Sequence, residues 1–492
     1  MKERHLTLLT DLYELTMMQG YFKTGSNELS VFDAFYRRNP SEGGYAIAAG
    51  LEQVLEYVDN LRFTQGDMDY LNGLGIFDED FLEYLRYFKF SGDIYAIPEG
   101  TVVFPKEPLI KVVAPIMEAQ LLEPAILNMV NHQCLIATKA SRVCYAAKGE
   151  GVMEFGLRRA MGPDAAIYGA RAAMIGGCIG TSNVMAGQLF KIPVKGTHAH
   201  SWIMSFGDEY EAFKAYAQLY PNACILLVDT YDTLGSGVPN AIRVFKEMRD
   251  EGHPLRNYGI RIDSGDLAYT SKMARKMLDE AGFEDCVISA SSDLDEYLIQ
   301  SLKEEKAAIT SWGVGTNMIT SHDWPSFGGV YKLAMIQDRK TGEFIPKIKI
   351  SGNTDKITNP GNKKIYRLYG RATGKIIGDL ICLEDEVFTE EDDIMLFDPV
   401  ETWKRTRVRP NTFRIRELLV PVYKSGKRIY KSPPVMEIRD ICTKEQNTMW
   451  DETRRFANPN TVYVDLSRKL YDTKQALLAE HEAQLVEKGI KK

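Results

Sequence analysis

The run ACILLVDTYD (223–232), AIRVFKEMRDEG (241–252), YGIRIDSGD (258–266), LAYTSKMARKMLDEAG (267–282), CVISASSD (286–293) decides the fold. Short apolar, β-branched segments alternate here with segments of helical periodicity. The two helical segments stop at Gly252 and Gly282. Glycine is the usual residue just past a helix end, where the backbone turns left-handed. Strands that alternate with helices predict a parallel sheet, either doubly wound or closed as a barrel.

The same alternation extends outward through GEGVMEFG (149–156), IPVKGTHAHS (192–201) and AAITSWGVGT (307–316). Polar, charged or glycine residues follow nearly every apolar run: Glu154 to Arg159, Thr197 to Ser201, Asp229 to Asp232, Asp263 to Asp266, Ser291 to Asp293 and Gly313 to Asn317. A (β/α) barrel builds its site from the C-terminal ends of its strands, whereas an open sheet concentrates chemistry at one or two switch-point loops. The expected fold class is therefore α/β: an irregular (β/α) barrel over 126–350, preceded by an N-terminal α/β domain (1–125) and followed by a C-terminal extension (351–492) that packs on the other two.

Within the first segment, GLEQVLEYVDNL (50–61) has helical spacing and IYAIPEGTVVFPKEPLIKVVAP (94–115) reads as short strands broken by prolines. After 350, KKIYRLYGRATGKIIGDLICL (363–383) reads as a hairpin and EDEVFTEEDDIMLFDP (384–399) as an acidic loop. RTRVRPNTFRIRELLVPVYKSGKRIY (405–430) is basic and strand-like, and VDLSRKLYDTKQALLAEHEAQLVEKG (464–489) reads as a terminal helix with Leu466, Leu470, Leu477 and Leu478 near one face. The hairpin turn GRATGKI (370–376) is one residue short of a P-loop and has Ile376 where a hydroxyl is required.

The chain has 492 residues and a net charge of −7, which argues against a nucleic-acid partner. Asp11 and Glu14 interrupt the apolar stretch a signal peptide would need, and no run approaches the roughly 18 apolar residues of a membrane span. The seven cysteines are scattered without CxxC pairs, as in a reduced compartment. A cytoplasmic protein without a membrane partner is expected.

Several strand-end groups carry candidate chemistry. Asp229 can hold Mg²⁺ or ribose hydroxyls with Asp232, or the pair can cap the next helix. In IRIDSGD (260–266), alternation puts Arg261 and Asp263 on one face, as an ion pair or a binding site. The glycine turn WGVGTNM (312–318) and the hydroxyl-rich SASSDLDEYL (289–298), with a helix start expected at Asp293, could cradle a phosphate between them. EFGLRRA (154–160) combines an aromatic ring with guanidinium groups, suiting an anionic aromatic ligand. His198 and His200 in GTHAHS (196–201) share a strand face in this reading, which also admits a metal-dependent barrel hydrolase if later strands add ligands.

Taken in order, LTDLYELTM (9–17), FGLRRAMGPD (155–164), GTSNVMAG (180–187), GTHAHS, DTYD (229–232), IRIDSGD, GVGT (313–316) and LSRKLY (466–471) resemble the nicotinate phosphoribosyltransferase family over essentially the whole chain. The resemblance implies a homodimer with shared active sites. It implies condensation of nicotinate with phosphoribosyl pyrophosphate to nicotinate mononucleotide and pyrophosphate, assisted by ATP hydrolysis, in NAD salvage. By motif, Phe155 and the partner subunit's Tyr13 would sandwich the pyridine ring. Arg261 and Thr197 would bind nicotinate with Arg158 nearby, and Gly315 and Thr316, with Ser292 on the adjacent turn, would hold the 5-phosphate. Asp229 and Asp263 would face the ribose or its Mg²⁺-pyrophosphate, and His200 matches the histidine that the family phosphorylates. The family usually carries an apolar residue in place of His198. Ser182 stands where nicotinamide phosphoribosyltransferases, the alternative within the class, carry an aspartate; a hydroxyl tolerates the acid's charge that an aspartate would repel.

Overall fold

The computed structural model describes residues 5–253 and 255–487, which form two compact units. The first comprises the chain up to Leu135, Ser326–Pro433 and the stretch from Ile441 onward; the second is Ile136–Pro325 with Pro434–Asp440. The fold is mixed α/β, as the alternation predicts. Among the described residues no helix is long and apolar enough to cross a membrane.

The first unit is built on an antiparallel seven-stranded sheet. Leu29–Tyr36 lies between Ile110–Pro115 and Gly329–Gln337, while Val420–Lys424 pairs with Asp93–Ala96. Strands from the C-terminal extension thus complete the N-terminal sheet. The expected hairpin is present as Lys363–Gly370 against Ile376–Leu383, in a four-stranded sheet with Phe413–Glu417 and Tyr463–Leu466. Arg367 is wholly buried there and grips Asp379 through two hydrogen bonds of 2.8 and 2.6 Å. A buried charge is tolerable in such a place only when paired in this way.

Two expectations about the extension need correction. The acidic stretch is not all loop, because Ile394–Phe397 forms a strand against Arg405–Val408 and buries Leu396. Leu466 belongs to a strand, and the terminal helix starts only at Arg468. In both cases a partner strand supplies the hydrogen bonds that local pattern does not announce.

The second unit holds a six-stranded parallel sheet: β1 (Gly151–Glu154), β2 (Gly180–Thr181), β3 (Ile225–Leu227), β4 (Gly259–Ile262), β5 (Val287–Ala290) and β6 (Ser311–Val314). Its order is β2-β1-β6-β5-β4-β3. The first strand pairs with the last, in register from Gly151–Ser311 to Glu154–Val314. That is the order of a barrel opened between β2 and β3. Beyond β2 the ladder continues only as a single bridge, Thr181 to Val194. The segment 192–201 therefore supplies one bridging residue rather than the expected strand, and β2, only two residues long, had no signal of its own.

Helices α1 (Pro163–Gly176), α2 (Val184–Phe190), α3 (His200–Met204), α4 (Glu209–Leu219), α5 (Val238–Asp250), α6 (Leu267–Glu280), α7 (Glu296–Glu304) and α8 (Thr316–Ile319) follow in turn. Gly252 and Gly282 sit just past α5 and α6 at φ +77° and +81°, as the sequence predicts. Helix α7 starts later than expected: Asp295, not Asp293, accepts the Leu298 N–H as its cap. Buried Lys139 and Arg142 both reach the carboxylate of Glu296 in its first turn, at 2.7 and 2.8 Å.

Candidate active site

The C-terminal ends of the strands carry one connected polar network, centred on Arg261 at the penultimate position of β4. Its Nε donates to Ser291 Oγ at 2.9 Å, one terminal nitrogen donates to Thr197 Oγ1, and the other lies 3.5 Å from Asp263 Oδ1. Ser291 in turn donates to Asp263. The period of two along β4 thus places Arg261 and Asp263 on one face, as expected. Parallel register between β4 and β5 sets Ser289 beside Arg261, which brings Ser291 to Asp263.

A second cluster adjoins it at the end of β3. The Asp229 side chain is 1% exposed; its Oδ2 accepts the Asp263 N–H at 2.8 Å and the Ser264 hydroxyl at 2.7 Å. Its Oδ1 lies 3.2 Å from His200 Nε2. A carboxylate only accepts, so Nε2 carries the ring proton and the lone pair of His200 sits on Nδ1. The His200 side chain is 40% exposed, open to an incoming group. Helix capping falls instead to Asp232, which accepts the Gly235 N–H at 2.9 Å.

His198 and His200 do not share a strand face. Residues 195–199 are irregular, and His200 opens α3. The His198 ring is buried and accepts the Leu227 N–H on Nε2 at 3.2 Å, while Nδ1 faces the Ala199 carbonyl at 3.5 Å. With both nitrogens engaged, His198 has no lone pair for a metal. Burial, opposed only in part by the Ala199 carbonyl, pushes its pKa down to about 4. Among the described residues no group of three or more His, Cys, Asp or Glu side chains could hold a metal ion.

The third cluster forms at β1, β2 and β6. Glu154 is fully buried; it accepts the Gly156 N–H and the Thr181 hydroxyl, and burial raises its pKa. This folds the chain back so that the Phe155 ring lies over β6. A Cβ on Gly313 would sit 2.6 Å from Phe155 Cδ2, so only glycine leaves room for that ring. Arg158 lies exposed on the single turn Leu157–Arg159. Ser182, half-buried, donates its N–H to the Glu154 carbonyl at 3.0 Å.

The last cluster joins β5 and β6. Gly315 precedes α8 and Thr316 opens it. Asn317 Nδ2 donates to the Asp293 carbonyl at 2.9 Å, tying this turn to the Ser291–Asp293 turn. Ser292 stands there at φ +125°, a conformation that costs a non-glycine residue on the order of 1–3 kcal/mol. Such strain collects at ligand-binding turns. The structure thus gathers Phe155, Arg158, Ser182, Thr197, His200, Asp229, Arg261, Asp263, Ser292, Gly315 and Thr316 in the second unit, while Tyr13 belongs to the first. Thr181, which carries no signal in the sequence, supports the site together with the strand-end residues Glu154 and Ser264, and only strand register reveals what the three touch.

Comparisons with known proteins show the family of the chain. Models of the nicotinate phosphoribosyltransferase (NAPRTase) family match residues 8–131 (N-terminal domain), 151–356 and 362–474 (C-terminal domain). The chain is 46% identical over 487 residues to the nicotinate phosphoribosyltransferase of Bacillus subtilis (strain 168), covering 99% of this chain and 98% of that protein. It is 31% identical over 530 residues to that of Homo sapiens, covering 96% of each. The crystal structure of human nicotinic acid phosphoribosyltransferase superposes with a TM-score of 0.82 at 30% identity, covering 96% of this chain and 100% of that one. At 21% identity, the nicotinate-nucleotide pyrophosphorylase structure from Pyrococcus furiosus shares the fold, with a TM-score of 0.69 over 91% of this chain and 97% of that one. Matched along nearly its whole length, the chain belongs to the nicotinate phosphoribosyltransferase family.

Proposed function

We propose that this chain is a cytoplasmic nicotinate phosphoribosyltransferase of NAD salvage, assisted by ATP through a phosphohistidine at His200. The observation that carries the reading is the Arg261 network: one half-buried guanidinium flanked by Thr197, Ser291 and Asp263, beside the Asp229–His200 pair. A cation held by neighbouring hydroxyls can exchange those partners for a substrate carboxylate at little cost in reorganisation. Nicotinate is an aromatic ring bearing such a carboxylate.

In this reading the ring lies between Phe155 and the partner subunit's Tyr13, in a homodimer with shared sites. Its carboxylate meets Arg261 and Thr197, with Arg158 nearby and the uncharged Ser182 adding no repulsion. Gly315, Thr316 and Ser292 receive the 5-phosphate of phosphoribosyl pyrophosphate. The ring nitrogen forms its bond to C1′ of the ribose as the C1′–O bond to pyrophosphate breaks. Asp263 and Asp229 face the electron-poor ribose carbon and stabilise its developing positive charge. The remaining acceleration is positional, because two substrates are held in line.

Two strand-end carboxylates suit Mg²⁺, which takes one or two protein oxygens and completes its shell with phosphate and water. Asp229 and Asp263 would hold it, and the ion would neutralise charge on the departing pyrophosphate. ATP would phosphorylate His200 on Nδ1, the nitrogen left free by the contact with Asp229, with ADP leaving as the bond to the γ-phosphorus breaks and the phosphoryl group later passing to water as phosphate. The added phosphate brings roughly −1.5 to −2 charges into the site.

Product formation from nicotinate, nicotinamide and quinolinate in parallel, with phosphoribosyl pyrophosphate, Mg²⁺ and with or without ATP, tests this. Transfer to nicotinate, stimulated by ATP, is expected; preference for nicotinamide would overturn the substrate assignment. Peptide mapping after γ-labelled ATP, under alkaline conditions, should place the label on His200. Label on His198 would overturn the phosphohistidine assignment.

A further inference from the structure

We propose that His198 is a positioning residue, whose imidazole replaces a missing strand at the open seam of the barrel and thereby sets the loop that carries Thr197 and His200. The seam lies between Val194, the last residue bridged to β2, and β3. On its paired side β3 bonds β4, with the Val228 N–H reaching the Arg261 carbonyl at 3.1 Å. Alternation turns the Leu227 N–H to the opposite, unpaired side. Leu227 is 0% exposed, so water does not satisfy that group. A buried N–H without an acceptor is costly, and His198 Nε2 supplies the acceptor at 3.2 Å.

The spacing of the contacts makes the case. His198 meets Leu227 and His200 meets Asp229. The two rungs have the same offset and are two residues apart on both segments. That is the register rule of a parallel ladder, where i faces j and i+2 faces j+2. Here side chains make rungs that backbone makes elsewhere in the sheet. Thr197, next to His198, donates its hydroxyl to the His198 carbonyl at 3.0 Å and accepts from Arg261. Fixing the His198 ring therefore fixes both the Arg261 partner and the approach of His200 to Asp229.

The ring's surroundings keep it in the form this role needs. It packs edge-on to Tyr216 of α4, with centroids 4.7 Å apart, and lies 6.1 Å from Phe213. The charged or titratable groups around it are Arg261 of β4, His200 of α3 and Tyr216; burial first, and then the Arg261 charge and the neighbouring His200 ring, oppose its protonation. A ring with a pKa near 4 stays neutral and accepting throughout a neutral assay range.

This inference rests on the reading of His200 as the phosphorylated residue, and the test separates the two. Full-length wild type, His198→Leu and His198→Gln are compared, with His198→Met replacing the leucine variant if that does not fold. Glutamine keeps an acceptor at similar reach; leucine and methionine do not. Hydrogen exchange of the peptide spanning Leu227, measured without substrates, should speed up about tenfold in the leucine variant and return to within about threefold in the glutamine variant. The ratio of ATP-stimulated to ATP-independent nicotinate transfer should fall about tenfold in the first and recover in the second. Unchanged Leu227 exchange in His198→Leu, or a glutamine variant no better than leucine, overturns the proposal. Wild type without ATP stimulation overturns the His200 reading instead, and the exchange result then decides the role of His198 alone.

Discussion

Glu14 is fully buried in the helix Leu12–Thr24, and burial, followed by the neighbouring Glu123 carboxylate, pushes its pKa up to about 8. The folded state therefore keeps a proton that the unfolded chain has lost by about pH 4.5. Stability should fall as pH rises between those values and level off above about 8. Glu14→Gln stays neutral, so its advantage over wild type should be absent near pH 4.5 and reach about 1–3 kcal/mol at pH 8, discounted for partial screening. Urea unfolding at the two pH values checks this; a difference independent of pH would count against it. At the site, Arg261→Ala removes the cation of the network and should cost about 2–5 kcal/mol in nicotinate kcat/KM, with unchanged nicotinate kinetics sinking the assignment. Ser182→Asp should weaken nicotinate use more than nicotinamide use, read as the ratio of the two kcat/KM values.

At the scale of elements, β6 and the turn after β1 have to be considered together. Phe155 lies where a side chain on Gly313 would be, and Gly156 is pressed against Ile319, 2.4 Å from its Cβ if it carried one. Gly313→Ala should push the Phe155 ring aside, raising KM for nicotinate at least as much as it lowers kcat, and cost about 1–3 kcal/mol of stability. Steady-state kinetics beside thermal unfolding will show it; a fully wild-type KM would mean that the ring does not contact the substrate. Strands with apolar runs were legible because burial on both faces of a parallel sheet leaves that pattern. The two-residue β2 and the bridge at Val194 were not, since too few residues repeat. The start of α7 also escaped, because Ser291, Ser292, Asp293 and Asp295 are all plausible caps and only geometry selects Asp295.

At the scale of the whole molecule, Tyr13 and His200 lie in different units of the chain. If sites are shared between subunits, Tyr13→Ala and His200→Ala proteins, each inactive in ATP-stimulated transfer, should complement on mixing. Free exchange gives hybrids with one intact site each, so about a quarter of wild-type activity should return. No recovery in mixtures that mass spectrometry shows to have exchanged would rule out sharing.

From the sequence alone came the alternation of strands and helices, the glycine stops at 252 and 282, the barrel class and the chemistry gathered at the strand ends, all of it local periodicity and local turn preference. Tertiary structure alone decided that the first barrel strand pairs with the last and that Val420–Lys424 enters the N-terminal sheet. It also decided that Ser291 meets Asp263, and that of two histidines in one motif His198 is held inside while His200 stays open. Those outcomes depend on register between distant segments. A one-residue slip in pairing would exchange every partner while leaving the local pattern unchanged.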